Sequence, residues 1–103
     1  MTGVVLILCT TGTIGEAEAI ARALVDERLA ACVQISEIGS WYRWRGEVEH
    51  APEQRLHIKT SADCADRVEA RIKALHSYDL PEIVTINIGG SAEYLAWIAT
   101  NVS

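Results

Sequence analysis

Basic residues are scarce in this chain of 103 residues, which has nine Lys and Arg against 14 Asp and Glu. The formal net charge is -5 at pH 7, and the calculated isoelectric point is near 5.1. Binding to nucleic-acid phosphates depends on clustered Lys and Arg, and here only Arg43 and Arg45 form a small group. The composition therefore argues against a nucleic-acid partner.

Long apolar segments are also missing. The run over residues 4–9 is too short to span a membrane, and no basic segment of the kind that begins a signal peptide precedes it. We therefore expect a cytoplasmic protein without a membrane span.

Cysteine motifs and catalytic motifs are missing as well. Cys9, Cys32 and Cys64 are widely spaced, odd in number and never part of a CxxC pair, so reduced thiols are expected. The sequence contains no Ser-His-Asp order, GxSxG elbow, phosphate-cradling glycine loop or HExxH motif. We therefore predict that the protein is not an enzyme.

The most informative segment that is present is residues 40–49, where Trp41, Tyr42 and Trp44 lie close to a turn glycine, Gly46. Strand-like sequences flank this segment, so we predict the tip of a long β-hairpin. A monomer cannot easily bury large aromatic rings at such a tip, and such rings usually need a partner surface. The residues alone are compatible with a dimer or a larger assembly.

The first part of the chain predicts a strand and a helix ahead of this hairpin. Residues 4–9 form a continuous apolar run, typical of a central strand that is covered on both faces. Thr13 and Glu16 match a capping box, in which both side chains satisfy free backbone N–H groups. We expect this helix to run to about Leu29 and the next strand to start near Ala31.

The second part of the chain predicts a helix, a strand and a short final helix. Ser61 is the expected cap of the second helix. The residues of its inward stripe are Cys64, Val68, Ile72 and Leu75. Residues 81–88 predict the fourth strand, which Gly89 and Gly90 end. Ser91 is expected to begin the last helix, and its inward residues are Leu95, Ile98 and Val102.

The order βαββαβα predicts an α+β fold, a ferredoxin-like sandwich formed by residues 1–103 as one domain. Its antiparallel sheet has the strand order 4-1-3-2, with two helices on one face, an extended hairpin between the second and third strands, and a short C-terminal helix. Alternation along the third strand puts its polar residues on the face away from the helices, toward solvent or another subunit. These residues are Glu53, Arg55, His57 and Lys59.

Several segments together resemble the CutA divalent-cation tolerance family. They are Cys9-Thr10, RLAACV at 28–33, WRGEVE at 44–49, IKT at 58–60, HSYDLPEI at 76–83 and YLAW at 94–97. The chain departs from the family pattern at Ser77, where proline is usual, and at Asp79, where glutamate or another polar residue is common. The resemblance implies a copper-binding protein that assembles as a compact homotrimer, with the long hairpins pairing against neighbouring subunits.

The predicted topology brings four possible metal ligands to one edge of the sheet. The first strand ends there, the third and fourth strands begin there, and the second helix finishes there. Cys9, Glu53, His76 and Glu82 occupy these positions. A thiolate and an imidazole suit soft or borderline metals, so we expect copper or another divalent cation at Cys9, Glu53 and His76. No cofactor is expected to be required.

Each of these residues also has a structural interpretation. Cys9 suits the core as a small buried side chain. His76 suits a helix C-terminus, where a partly charged imidazole meets the carbonyl dipole. Glu53 and Glu82, each beside a proline, suit solvated strand ends.

Three functions follow as hypotheses. The first is a cytosolic homotrimer that binds divalent metal, chiefly copper, and contributes to metal-ion tolerance. The second is a trimeric signalling module that binds a small anionic ligand in an inter-subunit cleft lined by Lys59 and the region of Trp41 and Trp44. The third is a non-catalytic structural or assembly platform.

Overall fold

The computed structural model describes residues 3–103, and over this range the chain forms four strands and three helices in the order βαββαβα. The α+β class is confirmed. The strands are β1 (Val4–Thr11), β2 (Cys32–Trp44), β3 (Glu47–Ser61) and β4 (Ile83–Ile88). The helices are α1 (Ile14–Asp26), α2 (Ala65–Leu75) and α3 (Ala92–Thr100), and a 3-10 turn, Ala62–Cys64, precedes α2.

The strands form one antiparallel sheet in the order β2-β3-β1-β4, which is the predicted order counted from the other edge. The central position predicted for β1 is confirmed, because Cys9 lies opposite Leu56 of β3 on one side and Ile83 of β4 on the other. The end of β1 therefore lies at the same edge of the sheet as the start of β4.

The core lies between one face of the sheet and the helices α1 and α2. Its largest buried side chains include Ile7 of β1, Ile58 of β3, Leu24 of α1 and Ile72 of α2. The prediction that β1 is covered on both faces is wrong for a single protomer. Val5 and Ile7 are buried, whereas the intervening Leu6 and Leu8 are only half-buried, because their face of the sheet carries neither α1 nor α2.

At the beginning of α1, one of the two hydrogen bonds of the predicted capping box is present. Thr13 Oγ1 accepts a hydrogen bond from the N–H of Glu16 at 3.2 Å. The Glu16 carboxylate does not complete the box, because it accepts hydrogen bonds from the backbone N–H and hydroxyl of Ser77 at 2.8 and 3.1 Å. This long-range contact connects the start of α1 to the segment after α2.

The helix α1 ends at Asp26, earlier than the predicted end near Leu29. Arg28 adopts a left-handed conformation with φ of 59°, and the N–H groups of Leu29 and Ala30 both donate to the carbonyl of Leu24 at 3.0 and 3.1 Å. Leu29 and Ala30 are buried, so the early turn brings these two apolar residues into the core.

The helix α2 also differs from its prediction at both ends. Ser61 is the last residue of β3 and makes no side-chain cap. Cys64, Val68 and Ile72 are buried as predicted, but Leu75 is exposed because α2 ends there and the chain continues in an extended conformation at His76.

The C-terminal elements largely follow the sequence pattern. The strand β4 starts at Ile83, two residues after Pro81. Ser91 Oγ accepts a hydrogen bond from the N–H of Tyr94 at 3.3 Å, which confirms the predicted cap of α3, and Ile98 is buried. No helix within residues 3–103 is both long enough and apolar enough to cross a membrane.

The hairpin of β2 and β3 extends well beyond the rest of the sheet. Pairing runs from Cys32 opposite Lys59 to Trp44 opposite Glu47, whereas β1 reaches only as far as Gln54. The turn consists of Arg45 and Gly46, both with positive φ, of 51° and 82°, which is the backbone that a tight two-residue hairpin turn requires. The hairpin extension contributes to the elongated shape of the molecule, 44 × 24 × 22 Å.

Candidate functional site

Cys9, the first of the predicted metal ligands, lies on the helix-packed face of the sheet and has 0% exposure. Burial, and to a smaller extent the nearby carboxylates of Glu82 and Glu16, raises the pKa of its thiol from the ordinary 9.0 to about 12. At neutral pH the group is therefore a protonated thiol. This supports the structural interpretation of Cys9 as a core side chain.

His76, the second predicted ligand, is the C-cap residue of α2, and both of its ring nitrogens are in contact with backbone groups. Nδ1 accepts a hydrogen bond from the N–H of Tyr78 at 3.0 Å, which leaves Nε2–H to donate to the carbonyl of Thr10 at 2.6 Å. The imidazole thus holds the segment after α2 against the end of β1.

Glu53, the third predicted ligand, and Glu82 have partners of their own. The Tyr78 hydroxyl donates to Glu53 at 2.9 Å, and Glu82 forms an ion pair with Arg55 at 3.6 Å. The pKa of Tyr78 rises to about 12, mainly because of burial and then because of this hydrogen bond to Glu53. The phenol therefore remains a proton donor at neutral pH.

The predicted ligands reach the same edge of the sheet, but they do not form a metal centre there. In β3 the side chain of Glu53 lies on the opposite face from Leu56, the residue paired with Cys9. Within residues 3–103, no group of three or more His, Cys, Asp and Glu side chains is arranged to hold a metal ion. Copper binding at Cys9, Glu53 and His76 stays a prediction, and the geometry of one protomer does not fit it.

The structure instead contains an open groove of about 880 Å³ at the base of the hairpin, which we call the hairpin groove. One wall comes from the extended part of β2 and from β3, and the other comes from residues 78–82, between α2 and β4. Its aromatic lining residues are Trp41, Tyr42, Trp44 and Tyr78. The exposed hairpin rings predicted from the sequence therefore line a concave surface.

The charged side chains of the hairpin groove are mostly acidic. Three carboxylates line it, those of Glu53, Asp79 and Glu82, against one base, Arg55. The Nε of Arg55 is enclosed by protein and has no hydrogen-bond partner within the described part of the chain. A buried donor of this kind calls for an acceptor from outside the protomer.

Lys59 does not line the hairpin groove of its own protomer. It lies opposite Cys32, at the other end of the hairpin from the turn. Its Nζ donates to the Tyr94 hydroxyl of α3 at 3.1 Å. Trp41 and Trp44 line the groove of a single protomer, and the inter-subunit cleft predicted for an anionic ligand stays a prediction.

Asp79, Leu80 and Pro81 line the groove although the sequence gives them no functional role, whereas Glu82 is one of the four possible metal ligands predicted at this edge of the sheet. In the sequence, Asp79 stands out only as a departure from the family pattern. A usable signal is present, since Leu80 is an apolar residue between Asp79 and Pro81 in a segment without helix or strand periodicity. Its side chain is 74% exposed.

Comparison with known proteins settles the family. A family model described as CutA1 divalent ion tolerance protein matches residues 5–101. This chain belongs to that family. The divalent-cation tolerance protein CutA of Thermus thermophilus is 45% identical over 98 residues, covering 93% of this chain and 95% of the relative.

Solved structures of the CutA1 family have the same fold. CutA from Xylella fastidiosa matches with a TM-score of 0.94 and 43% identity, covering 97% of this chain and 98% of that one. A protein from Archaeoglobus fulgidus, described as a periplasmic divalent cation tolerance protein CutA, matches with a TM-score of 0.94 and 39% identity, covering 97% and 99%. The family resemblance predicted from the sequence is confirmed.

Proposed function

We propose that this chain is the ferredoxin-like protomer of a homotrimer that acts in the cytoplasm in the response to divalent metal ions. Membership of the divalent ion tolerance family supports the connection with divalent cations. The observation that carries the proposal is the apolar face of the sheet that the protomer's own two core helices leave uncovered.

That face, which we call the outer face, combines β1 and β4 in an apolar patch. Leu6 and Leu8 of β1 lie opposite Ile86 and Val84 of β4, and the latter two are 42% and 45% exposed. A two-layer protein normally has polar residues on the uncovered face of its sheet, because apolar area in contact with water is unfavourable, so an apolar patch there indicates a surface that another chain covers. A second copy of the chain would bury the patch.

The hairpin adds two further reasons for self-association. Trp41 is 73% exposed, and Trp44 and Tyr42 are 43% and 44% exposed, so three large rings contact water at one end of the molecule. The enclosed Nε of Arg55 also lacks an acceptor within residues 3–103. A neighbouring subunit can supply both the cover and the acceptor, as the homotrimer predicted through the hairpin requires.

Copper is the divalent metal that we propose to test first, because it heads the affinity order of divalent first-row metals. The ligand set predicted from the sequence does not support this metal well. The thiol of Cys9 is buried with a pKa of about 12, and both nitrogens of His76 are in contact with backbone groups. We therefore assign no step of the function to a metal held at these residues.

The proposal includes a cytoplasmic location and no catalytic activity. The prediction that the protein is not an enzyme is supported by the state of Cys9, the thiol at the end of β1, which burial keeps protonated and enclosed. Location is variable among the matched proteins, since the one from Archaeoglobus fulgidus is described as periplasmic.

The test is a light-scattering mass measurement combined with copper titration in a competing chelator, on the wild type, Cys9→Ser and Cys64→Ser. We expect the mass of a homotrimer, and copper uptake that is the same in all three proteins, because both thiols are buried. A monomer would overturn the assembly, and a lack of copper uptake would overturn the choice of metal. Loss of copper in Cys9→Ser alone would restore the ligand set predicted from the sequence.

A further inference from the structure

The outer face carries charges as well as apolar residues, and along β3 the two signs are separated. Leu56 and Ile58 of β3 face the core, so the odd-numbered residues of this strand lie on the outer face. Those nearest the turn are mostly acidic, and those at the base of the hairpin are basic. From the turn to the base they are Glu47, Glu49, Ala51, Glu53, Arg55, His57 and Lys59.

We call Glu47 and Glu49 the acidic end of β3, and we call Arg55, His57 and Lys59 its basic end. We propose that the acidic end of one copy of the chain pairs with the basic end of the next copy. The proposal rests on the homotrimer proposed above and deepens it, since an apolar patch alone does not specify which residues of two copies meet.

The acidic end has no partner in its own protomer. The side chains of Glu47 and Glu49 are exposed, and neither carboxylate forms an ion pair or a hydrogen bond within residues 3–103. Glu53 differs from them, because it accepts a hydrogen bond from the Tyr78 hydroxyl at 2.9 Å. Two like charges on one face of a strand repel each other, so the acidic end attracts positive charge from elsewhere.

The basic end has a donor and a charge that its own protomer leaves unsatisfied. Arg55 forms an ion pair with Glu82 at 3.6 Å, but its enclosed Nε has no hydrogen-bond partner in the part of the chain that the structure describes. Lys59 donates to the Tyr94 hydroxyl at 3.1 Å, and this neutral partner does not offset its charge. Incoming carboxylates would supply both the missing acceptor and the missing negative charge.

The hairpin is long enough to bring the two ends together. Pairing with β1 stops at Gln54, so the stretch of β3 from Gln54 to Glu47 extends past β1 by roughly 23 Å, at about 3.3 Å per residue. A four-stranded sheet with a strand spacing of about 4.8 Å is only roughly 14 Å across. The hairpin of one copy can therefore cross the outer face of another. In a closed ring, each copy gives its acidic end to one neighbour and receives the acidic end of the other.

The experiment is a dilution series of the full chain, followed by light scattering and sedimentation, with charge-reversed variants. Glu49→Lys and Lys59→Glu should each raise the concentration at which the assembly dissociates by about tenfold or more, because like charges then face each other. The chain with both substitutions again has opposite charges across every contact. Its dissociation should return to within about threefold of the wild type. Urea unfolding of each variant separates a loss of folding from a loss of assembly.

Glu37→Lys is the matched control, because Glu37 is exposed on the same hairpin but lies opposite Gln54, on the other face from the acidic end. It makes the same charge change and should leave dissociation unchanged. The pairing is wrong, although the homotrimer stands, if Glu49→Lys dissociates no more readily than Glu37→Lys. The same holds if the two reversals together disrupt the assembly as much as their separate effects added. A monomeric wild type would overturn the homotrimer and the pairing together.

Discussion

The two faces of the sheet differ sharply although their apolar residues are of the same kind. On the face against α1 and α2, Ile7, Leu56 and Ile58 have 0% exposure, whereas Val84 and Ile86 on the outer face are 45% and 42% exposed. The difference follows from topology, because both helices of the core lie on one side. Apolar residues on the first face stabilise the protomer, and those on the outer face are available to another chain.

The largest difference between the two faces is expected when one isoleucine on each face is replaced by alanine and the free energy of unfolding is compared. Ile58→Ala removes buried atoms from the core and should lower the free energy of unfolding by about 3 kcal/mol at every protein concentration. Ile86→Ala removes the same atoms from the outer face and should mainly shift dissociation of the assembly to higher concentration. Urea unfolding at several chain concentrations measures both. If both variants lost the same free energy of unfolding at every chain concentration, the outer face would have no separate role in assembly.

The next largest effect concerns the exposed aromatic rings. Trp44→Ala should weaken assembly by about 2 kcal/mol, because truncating a large aromatic anchor at an interface has a cost of this order. Trp97→Ala on α3 is the matched control, since Trp44 and Trp97 are 43% and 45% exposed. Sedimentation of both variants over a dilution series gives the comparison. An assembly that tolerates Trp44→Ala fully would show that the hairpin is not part of the interface.

The sequence predicted the inner face well because that face depends on local periodicity. The stripe of α2 is visible in the chain, and Val68 and Ile72 are buried as expected, whereas the continuous apolar run of β1 does not show which of its residues face the helices. The helix ends were less predictable. Arg28 turns the chain by adopting a positive φ, and Leu75 is exposed, because of packing between elements that are distant in sequence.

For the candidate site, the sequence predicted the edge of the sheet at which the residues lie but not the contacts of their side chains. The topology correctly brings Cys9 and Glu53 to that edge, but which face each side chain occupies depends on the register that pairs Cys9 with Leu56. The contacts of His76 with Thr10 and Tyr78 were equally unpredictable, since they depend on the path of an irregular segment. Residue type alone therefore suggested a metal centre that the geometry does not form.

A smaller effect is expected at alkaline pH, where the free energy of unfolding should depend on the burial of the Cys9 thiol in the inner face. Below pH 9 the thiol is protonated in the folded and the unfolded chain alike. Between its ordinary pKa of 9.0 and the folded value of about 12, only the unfolded chain releases the proton, so the free energy of unfolding falls as the pH rises. The expected loss is about 1 kcal/mol per pH unit.

Cys9→Ala should make this alkaline profile flatter, as measured by urea unfolding between pH 8 and about pH 11. Cys32→Ala is the control, because Cys32 pairs with Lys59 and lies on the outer face, and Cys9 is still present in that variant. Its profile should keep the slope of the wild type. The burial argument fails if Cys9→Ala retains the full alkaline loss.

The smallest effect is expected on the outer face, at the contact between Lys59 and Tyr94. The Lys59 Nζ lies 3.1 Å from the Tyr94 hydroxyl and 5.1 Å from the centre of its ring, and the contact is exposed to water. Tyr94→Phe removes the hydrogen bond and keeps the ring, so it should lower the free energy of unfolding by only about 0.5 kcal/mol, because water replaces the lost partner. Urea unfolding and light scattering together measure the change. A loss above about 2 kcal/mol, or a change in assembled mass, would show that another chain buries this contact and that the association surface extends across the outer face to α3.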